Sequence, residues 1–367
     1  LEFYIDAEMY EDLTKKNDSD KYEFIFPNFN LSKILDTRLN GSMEIESTGY
    51  NKLFETNINE KVIINKLRYK SLNSINQIGI INNFEFLFNN FNADSRNSKT
   101  LKNRSENNIA GIFQFNSKLP MKKKSEKYTS TTTPIIVGKF NPYNNKDISS
   151  QSRMVDYTNI YSIDRIGSSD VIEGGESLTL GNEFKLFSNE DLSEELLSIN
   201  LASSFRAQEN LDLPNNSFLG QKTSNLIGQT TLKLNKFVDL QYDFLTDNNL
   251  KDFRYHNLNS EFKVNNFIST FEFIEENDEI GTTHFISNET SLKISENKNL
   301  LFRTRKNKKT DLTEYYNLIY QYKMDCLTAA IEYNKDYYKD GALEPEESIS
   351  LSLTIMPFDN SINLPKI

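Results

Sequence analysis

The sequence predicts an all-β fold, and specifically an antiparallel transmembrane β-barrel. Three observations support this prediction: side-chain polarity alternates with a period of two, the strands are long, and the connections alternate between long and short. A period of two places successive side chains on opposite faces of a sheet. The helical spacing of apolar residues is almost missing, and its best candidate, residues 189–198, is short. The pattern therefore favours strands along nearly the whole chain.

Residues 348–355 show the alternation most clearly. Ile349, Leu351, Leu353 and Ile355 alternate with serine and threonine, so one face of this strand is apolar and the other is polar. A barrel in a membrane has this arrangement, because its outer face meets lipid and its inner face meets water.

The strands are also too long for an ordinary soluble sheet. Between residues 229 and 352 the strand centres recur about every 15 residues, and each strand runs for roughly 9–12 residues. Strands in soluble proteins are usually about 5–6 residues long, whereas about 9–11 residues cross the hydrocarbon layer at a tilt. The length therefore favours a membrane barrel.

Connections of alternating length support the same conclusion. The longer ones fall at 208–224, 246–251, 275–281, 306–312 and 338–347, and the shorter ones near 235 and at 263–265, 295–297 and 323–325. Bacterial outer-membrane barrels have long outer loops and short periplasmic turns. In the less regular first half, strands are expected at 1–10, 21–33, 39–47, 51–59, 61–72, 75–90, 108–118, 125–143, around 159, and at 176–187 and 194–207. The total is about 18–20 strands in one domain, residues 1–367.

Composition excludes several classes of protein. No run of 18 apolar residues occurs, so no transmembrane helix is expected. The 42 basic and 52 acidic residues give a net charge of -10, which argues against a nucleic-acid-binding protein. One cysteine excludes an internal disulfide, and with two histidines it leaves too few ligands for a structural zinc site. We expect neither a metal nor a cofactor.

Catalytic motifs are missing from the sequence. The nucleophile elbow, the phosphate-binding loops and the H-E-x-x-H motif do not occur, and no pair of carboxylates stands out as an acid and a base. We therefore expect no catalytic residues and no enzyme activity. Four alternatives remain open: a soluble sandwich or repeat protein, a soluble adhesin, a general porin or receptor barrel, and an outer-membrane phospholipase. The phospholipase would require His256 or His284 beside a serine.

A motif in the middle of the chain resembles a known family. Residues 133–142 read TPIIVGKFNP, residues 159–167 read NIYSIDRIG, and Asp170, the run 173–175 and Gly181 follow. This resembles the barrel domain of the LptD (OstA) family, the lipopolysaccharide-assembly proteins of the outer membrane. The family motif is carried here by Asn159, Arg165, Gly167, Asp170, Glu173 and Gly175. Asp164 stands where the family has asparagine.

The last part of the chain is similar to the same family. Residues 316–329, which include Cys326, resemble a segment that often contains two adjacent cysteines, of which only one is present here. The chain begins at Leu1 without a signal peptide. We therefore expect it to be the C-terminal part of a longer protein, an incomplete barrel that lacks the periplasmic N-terminal domain and the first strands.

The resemblance implies a function and a set of partners. Lipopolysaccharide would arrive from the periplasmic bridge protein LptA through the missing domain, and a lipoprotein, LptE, would plug the lumen. The lipid would then enter the outer leaflet of the cell outer membrane through the polar lumen and a lateral gate. Cys326 would form a disulfide with the missing domain, with a buried free thiol as the alternative.

The last strand would form one side of the gate. Its residues are Ile349, Leu351, Leu353, Ile355 and Pro357. Pro357 cannot donate a hydrogen bond to a neighbouring strand, so it would weaken the seam, unless it simply ends the strand.

Two groups of charged residues have open interpretations. Asp170 and Glu173 could form hydrogen bonds in the lumen or bind a divalent cation between lipopolysaccharide phosphates; alternatively, they belong to a structural turn in which Gly174 and Gly175 supply positive φ. The basic run consists of Arg303, Arg305, Lys306, Lys308 and Lys309, expected at an outer loop. It would contact anionic lipopolysaccharide or form a solvated hairpin tip.

Overall fold

The computed structural model describes residues 1–13, 15, 21–37, 40–54, 57–168, 170–192, 194–277, 283–324, 326–337 and 345–355. These residues form 20 strands. The first ten are β1 (Glu2–Glu11), β2 (Tyr22–Asp36), β3 (Gly41–Phe54), β4 (Ile58–Ser71), β5 (Ser74–Ile75), β6 (Ile81–Arg96), β7 (Glu106–Lys118), β8 (Met121–Lys124), β9 (Tyr128–Asn141) and β10 (Gly175–Ser188). The others are β11 (Glu195–Phe205), β12 (Leu226–Asn235), β13 (Val238–Thr246), β14 (Phe253–Val264), β15 (Phe267–Glu276), β16 (His284–Ser295), β17 (Lys298–Asn307), β18 (Leu312–Lys323), β19 (Leu327–Asp336) and β20 (Glu347–Ile355).

The prediction of an all-β antiparallel fold is confirmed. In the part of the chain that the structure describes, no helix has the length and apolar character needed to cross a membrane. The residues group into two compact units. Unit 1 comprises Leu1–Leu192, Ile199–Gly228 and Leu245–Asp252, and unit 2 comprises the described residues of 194–198, 229–244 and 253–355.

Unit 1 is an antiparallel meander in which sequential strands pair. β1 pairs with β2, β2 with β3, β3 with β4, β4 with β6, β6 with β7, β7 with β9 and β9 with β10. The two shortest strands, β5 and β8, add to β6 and β9. Such pairing needs only local connections, and it explains why period-two patterns follow one another along the sequence.

Unit 2 contains a second antiparallel meander, which runs from β14 to β20 with each strand paired to the next. The connections between these strands alternate in length: the short turns are at 265–266 and 296–297, and longer connections such as 308–311 lie between them. The predicted alternation of connection lengths is therefore confirmed for the described turns.

Two predictions about secondary structure were wrong. The predicted strands at 39–47, 51–59 and 61–72 are two longer strands, β3 and β4, because the small residues around Gly49 lie within β3 rather than in a turn. The strand expected around Asn159 does not form, and residues 142–174 contain turns and irregular structure. The prediction of a strand at 194–207 is confirmed by β11, so the best helical candidate, 189–198, runs into a strand.

The two faces of the sheet in unit 1 differ in polarity. On one face, which we call the inner face, residues 142–174 pack against side chains of β6, β7, β9 and β10. The opposite, outer face carries exposed aromatic and aliphatic residues. They include Phe84, Phe113, Phe115, Ile136, Phe140, Leu178 and Leu180. An exposed apolar surface of this kind is expected where a sheet contacts lipid.

Unit 2 shows the same division into a polar and an apolar face. In β20, Ile349 is 77% exposed and Leu351 is 74% exposed, and both lie on the apolar face. Paired strands continue that face with Ile331, Leu318 and Phe302. The opposite face carries serines, asparagines and charged residues, among them Ser350 and Glu332. The predicted alternation in the last strand is therefore confirmed.

Candidate functional site

The most highly organised part of unit 1 is the segment that connects β9 to β10. We call residues 142–174 the inner segment, because it lies on the inner face of the sheet. It contains Asn159, Arg165, Gly167, Asp170 and Glu173, and the last residue of the motif, Gly175, begins β10. The motif thus belongs almost entirely to one irregular segment.

Apolar side chains attach the inner segment to the sheet. Ile163 and Ile172 form a buried cluster with Leu87 of β6 and Ile112 of β7. Ile160 is also fully buried. Burial of each such side chain contributes about 1.5–3 kcal/mol, so this contact alone holds the segment firmly.

At the centre of the segment, Arg165 forms a bidentate ion pair with Glu173. Arg165 donates from Nε to Glu173 Oε2 at 2.6 Å and from Nη2 to Glu173 Oε1 at 2.5 Å. Arg165 is 1% exposed and Glu173 is 3% exposed. Two parallel hydrogen bonds fix the relative orientation of guanidinium and carboxylate as well as their distance.

The remaining donors of Arg165 bind hydroxyls of the sheet. Nη2 donates to Ser177 Oγ at 2.9 Å, and Nη1 donates to Thr179 Oγ1 at 3.1 Å and to Ser204 Oγ at 3.0 Å. Ser177 and Thr179 lie on the inner face of β10, and Ser204 lies on β11. A single side chain of the inner segment is thereby joined to two strands.

Two further cations surround Glu173. Arg206, immediately after β11, donates to the Glu173 carboxylate and to the carbonyl oxygens of Leu219 and Gly174. Lys139 of β9 lies 3.9 Å from Glu173 Oε2 and donates to the carbonyl oxygen of Ser162. We call Arg165, Glu173, Arg206 and Lys139 the ionic cluster. One carboxylate thus faces three basic groups, all of them buried.

Electrostatics in the cluster keep Glu173 ionised. Burial by itself would raise the pKa of the Glu173 carboxyl, but Arg165, Arg206 and Lys139 together hold that pKa well below its usual value of 4.5. Burial also lowers the pKa of Arg206, and Glu173 opposes this change. A buried charge is tolerated only when it is paired, so the Glu173 carboxylate and the basic groups around it depend on one another.

The other motif residues shape the turns around the cluster. Asp170 binds Lys146 Nζ at 2.8 Å and accepts a hydrogen bond from Ser168. Asn159 Oδ1 accepts from the backbone N–H of Asp156 at 3.1 Å. Asp164, which stands in place of the family's asparagine, still accepts a hydrogen bond from the backbone N–H of Gly167, at 2.9 Å.

A second irregular segment supports the first. Residues 206–225 connect β11 to β12, and Leu213 and Leu219 are buried within this segment. The backbone N–H of Ile148 donates to the carbonyl oxygen of Asp212 at 2.8 Å, and Asn210 donates to Asn145 Oδ1 at 2.7 Å. The two segments therefore stabilise each other on the inner face of unit 1.

The structure gives both carboxylates basic partners: Glu173 is enclosed by arginines and Asp170 is paired with Lys146. These contacts agree with the interpretation in which the two carboxylates form hydrogen bonds on the inner face, and no cluster suited to a metal ion occurs among the described residues. The turn interpretation needs one correction: Gly175 has φ +81, whereas Gly174 has no positive φ and is needed because a Cβ would lie 2.7 Å from the Tyr143 carbonyl oxygen.

The basic run was expected at an outer loop, but most of it lies within a strand. Arg303, Arg305 and Lys306 lie within β17, and only Lys308 and Lys309 lie in the turn that follows. Arg303 pairs with Glu289 and Arg305 with Glu314. The register places Arg303 directly opposite Glu289, whereas Glu314 lies at the register shift beside Arg305.

The remaining predicted residues lie in unit 2. Cys326 is a partly buried free thiol immediately before β19. Ile349, Leu351, Leu353 and Ile355 are exposed on β20. Pro357 lies outside the described residues.

Sequence reasoning missed Lys139 and Arg206, the two cations that complete the cluster. Lys139 was accessible to pattern analysis, because it lies on the same face of β9 as the buried Val137 and Asn141. A lysine on the same face as a buried valine predicts a buried partner of opposite charge. The partner is distant in sequence, so it could not be identified before the fold was known.

Comparison with protein families gives a match over residues 85–297, which is more than half of the chain, to the LptD family, described as LPS transport system D. This chain belongs to the LptD family. The match includes the whole inner segment and the ionic cluster, while β17 to β20 and Cys326 lie beyond it. The prediction of an LptD-like barrel portion is therefore confirmed, and membership of the LptD family points to the outer membrane.

Solved structures of two receptors have strand arrangements similar to that of this chain. The siderophore receptor PirA from Acinetobacter baumannii has a TM-score of 0.47 and 9% identity, covering 96% of this chain and 68% of that one. A mutant of the ferric enterobactin receptor PfeA from Pseudomonas aeruginosa has a TM-score of 0.45 and 8% identity, covering 93% of this chain and 63% of that one. No curated protein matches the chain.

Proposed function

We propose that this chain is part of an outer-membrane translocon that inserts lipopolysaccharide into the outer leaflet. The observation that carries the proposal is the LptD-family match over the inner segment and the strands around it. The division of each unit into a polar and an apolar face supports it, because a glycolipid needs a wet path for its sugars and an apolar surface for its acyl chains.

The ionic cluster fixes the inner segment to the strands around it. Arg165 and Glu173 join the inner segment to β10 and β11, and Arg206 joins it to the neighbouring segment 206–225. Part of the inner face is therefore filled by protein and cannot rearrange without breaking buried ion pairs. We propose that the inner segment is a permanent wall of the transport path.

The polar face of unit 2 offers a surface suited to sugars. A hollow of about 430 Å³ lies over β12 to β15. Its polar lining includes Lys233, Asp239, Gln241, Asn259, Glu261 and Thr270. Carboxylates and amides can accept and donate hydrogen bonds to sugar hydroxyls. We propose that glycan passes over this face.

The proposal also includes a lateral gate, a lipoprotein in the lumen and a periplasmic protein that delivers lipopolysaccharide. β20 would form one side of a lateral gate, since its apolar face is widely exposed. LptE would occupy the lumen, and LptA would deliver lipopolysaccharide through a periplasmic domain to which Cys326 would be linked by a disulfide. We propose transport without enzymatic chemistry.

The proposal can be tested in the source organism by replacing the native gene with a copy under repressible control. On repression, lipopolysaccharide detected by antibody on intact cells should fall while total cellular lipopolysaccharide is maintained. Unchanged surface lipopolysaccharide together with a loss of small-solute uptake would contradict transport of lipopolysaccharide and favour a general porin.

A further inference from the structure

Strands β4 and β6 of unit 1 change the polarity of their outer face part-way along their length. On the outer face of β4, Tyr69 and Leu67 are followed by Asn65, then by Ile63 and Lys61. On the outer face of β6, Phe84, Phe86 and Phe88 are followed by Asn90, Asn92 and Asp94. The outer surface thus passes from aromatic and aliphatic to polar along the same strands.

On β4 the inner face changes in the opposite sense. In β4 it carries Lys70, Arg68 and Lys66 and then Ile64 and Val62, two residues that are buried. Ile64 and Val62 form an apolar cluster with Phe91 and Ala93 of β6, and Leu101 from the connection between β6 and β7 packs on this cluster. Beyond the change, the sheet therefore has the dry inner side and wet outer side of a water-soluble protein.

A continuous row of polar side chains marks the change on the outer face. We call Ser47, Asn65, Asn90, Asn92 and Asn107 the amide row. Ser47 Oγ donates to Asn65 Oδ1 at 2.8 Å, and Asn65 Nδ2 donates to Asn90 Oδ1 at 3.3 Å. Asn92 Nδ2 donates to Asn90 Oδ1 at 2.7 Å, and Asn107 Nδ2 donates to Asn92 Oδ1.

This row crosses β3, β4, β6 and β7 on the side of the sheet that would otherwise face lipid. Polar groups are costly in hydrocarbon, whereas uncharged amides offer both donors and acceptors to the sugars, amides and phosphates of a headgroup layer. The exposed Ile63 and Ile109 lie in the same zone, which suits a layer that is neither fully wet nor fully apolar. The row lies towards the ends of β6 and β7 that connection 97–105 joins, and the long connection 142–174 leaves β9 in the same direction. Long connections face the cell surface in such barrels.

We propose that the amide row seats the polar headgroups of outer-leaflet lipids and so fixes the height of the membrane on β3 to β7. Below the row, Leu67, Phe86 and Phe113 contact acyl chains. Above it, Lys61 and Asp94 lie in water, and the strands continue as a protruding sheet with its own apolar cluster. The proposal rests on the membrane location of these strands in the proposed function.

Single tryptophans can test this placement because the chain contains none. Four variants suffice: Leu67→Trp below the row, Ile109→Trp in the row, Lys61→Trp above it, and Arg68→Trp on the inner face as the matched control. Each variant of the whole chain is reconstituted in three sets of phosphatidylcholine vesicles, with bromine in the acyl chains, with a nitroxide on the headgroup, or with iodide in the aqueous phase.

Acyl-chain bromine should quench the tryptophan fluorescence of Leu67→Trp about fivefold more strongly than that of Lys61→Trp, because only residue 67 lies at hydrocarbon depth. The headgroup nitroxide should act most strongly on Ile109→Trp, and iodide on Lys61→Trp. Bromine should leave Arg68→Trp unaffected. Equal quenching of Lys61→Trp and Leu67→Trp by bromine would overturn the amide-row proposal alone. Absence of quenching at Leu67→Trp would overturn the membrane location itself, and with it the proposed function.

Discussion

Arg165 and Glu173, eight residues apart, are joined by two hydrogen bonds of 2.6 and 2.5 Å in the buried interior of unit 1. The pair closes the irregular inner segment on itself and attaches it to hydroxyls of β10 and β11. Because Arg206 and Lys139 also face Glu173, removal of this one carboxylate leaves three basic groups buried without an opposing charge. Four expectations follow from the packing and charges of unit 1.

Glu173→Gln keeps the shape of the side chain and removes its charge. We expect the free energy of unfolding to fall by about 3–5 kcal/mol, the cost of leaving buried charges without a partner. The measurement is a urea titration of the chain in detergent micelles or vesicles. Asp170→Asn is the matched control, since Asp170 pairs with a more exposed Lys146 and should cost about 1 kcal/mol or less. Equal losses in the two variants would contradict the role of the cluster.

The contribution of Glu173 should depend on pH in a defined direction. Its pKa is lowered by folding, so the stabilisation is complete above the unfolded value and is lost as the pH falls towards the folded value. The difference in unfolding free energy between the wild type and Glu173→Gln should be constant from neutral pH to about 4.5 and then shrink by about 1.4 kcal/mol per pH unit. A difference that grows below pH 4.5 would contradict this sign.

Gly181→Ala should loosen the inner segment. A Cβ at Gly181 would overlap the hydroxyl of Tyr161 and lie 2.9 Å from the carbonyl oxygen of Leu201, so the Tyr161 ring must move. We expect faster amide hydrogen exchange in residues 157–166, measured by mass spectrometry. Gly138→Ala is the control, because Gly138 lies in the adjacent strand β9 and a Cβ there meets no atom within 4 Å. Unchanged exchange in Gly181→Ala would show that Tyr161 does not hold the segment.

Arg165→Lys tests the geometry of the cluster rather than its charge. A lysine cannot form the bidentate contact with Glu173 and also reach the hydroxyls of Ser177, Thr179 and Ser204. Surface lipopolysaccharide, measured on intact cells, should fall although the charge is kept. Arg303→Lys, at an exposed pair with Glu289, should leave it unchanged. A normal level in Arg165→Lys cells would show that a single positive charge is sufficient.

Much of the fold follows from the sequence because the two faces of each strand meet different surroundings. In β20 the alternation of isoleucine and leucine with serine gives both the strand and its exposed face. The structure of the inner segment could not be predicted in this way, because its apolar residues are buried by tertiary contacts and have no regular period. Asn159 was therefore assigned to a strand. The partners of the central ion pair could not be found either, because Ser177 meets Arg165, and Arg206 meets Glu173, only in the folded sheet.

The central claim is that lipopolysaccharide passes along the polar face of these strands. The most direct test places a photo-crosslinking amino acid at Asn259, on the polar face of β14, and in a separate variant at its neighbour Leu258, which is exposed on the apolar face. After irradiation of growing cells, a lipopolysaccharide adduct at Asn259 that disappears when lipopolysaccharide synthesis is blocked is the predicted result. Adducts at Leu258 with none at Asn259 would contradict the account, because lipid would then surround the protein without passing through it.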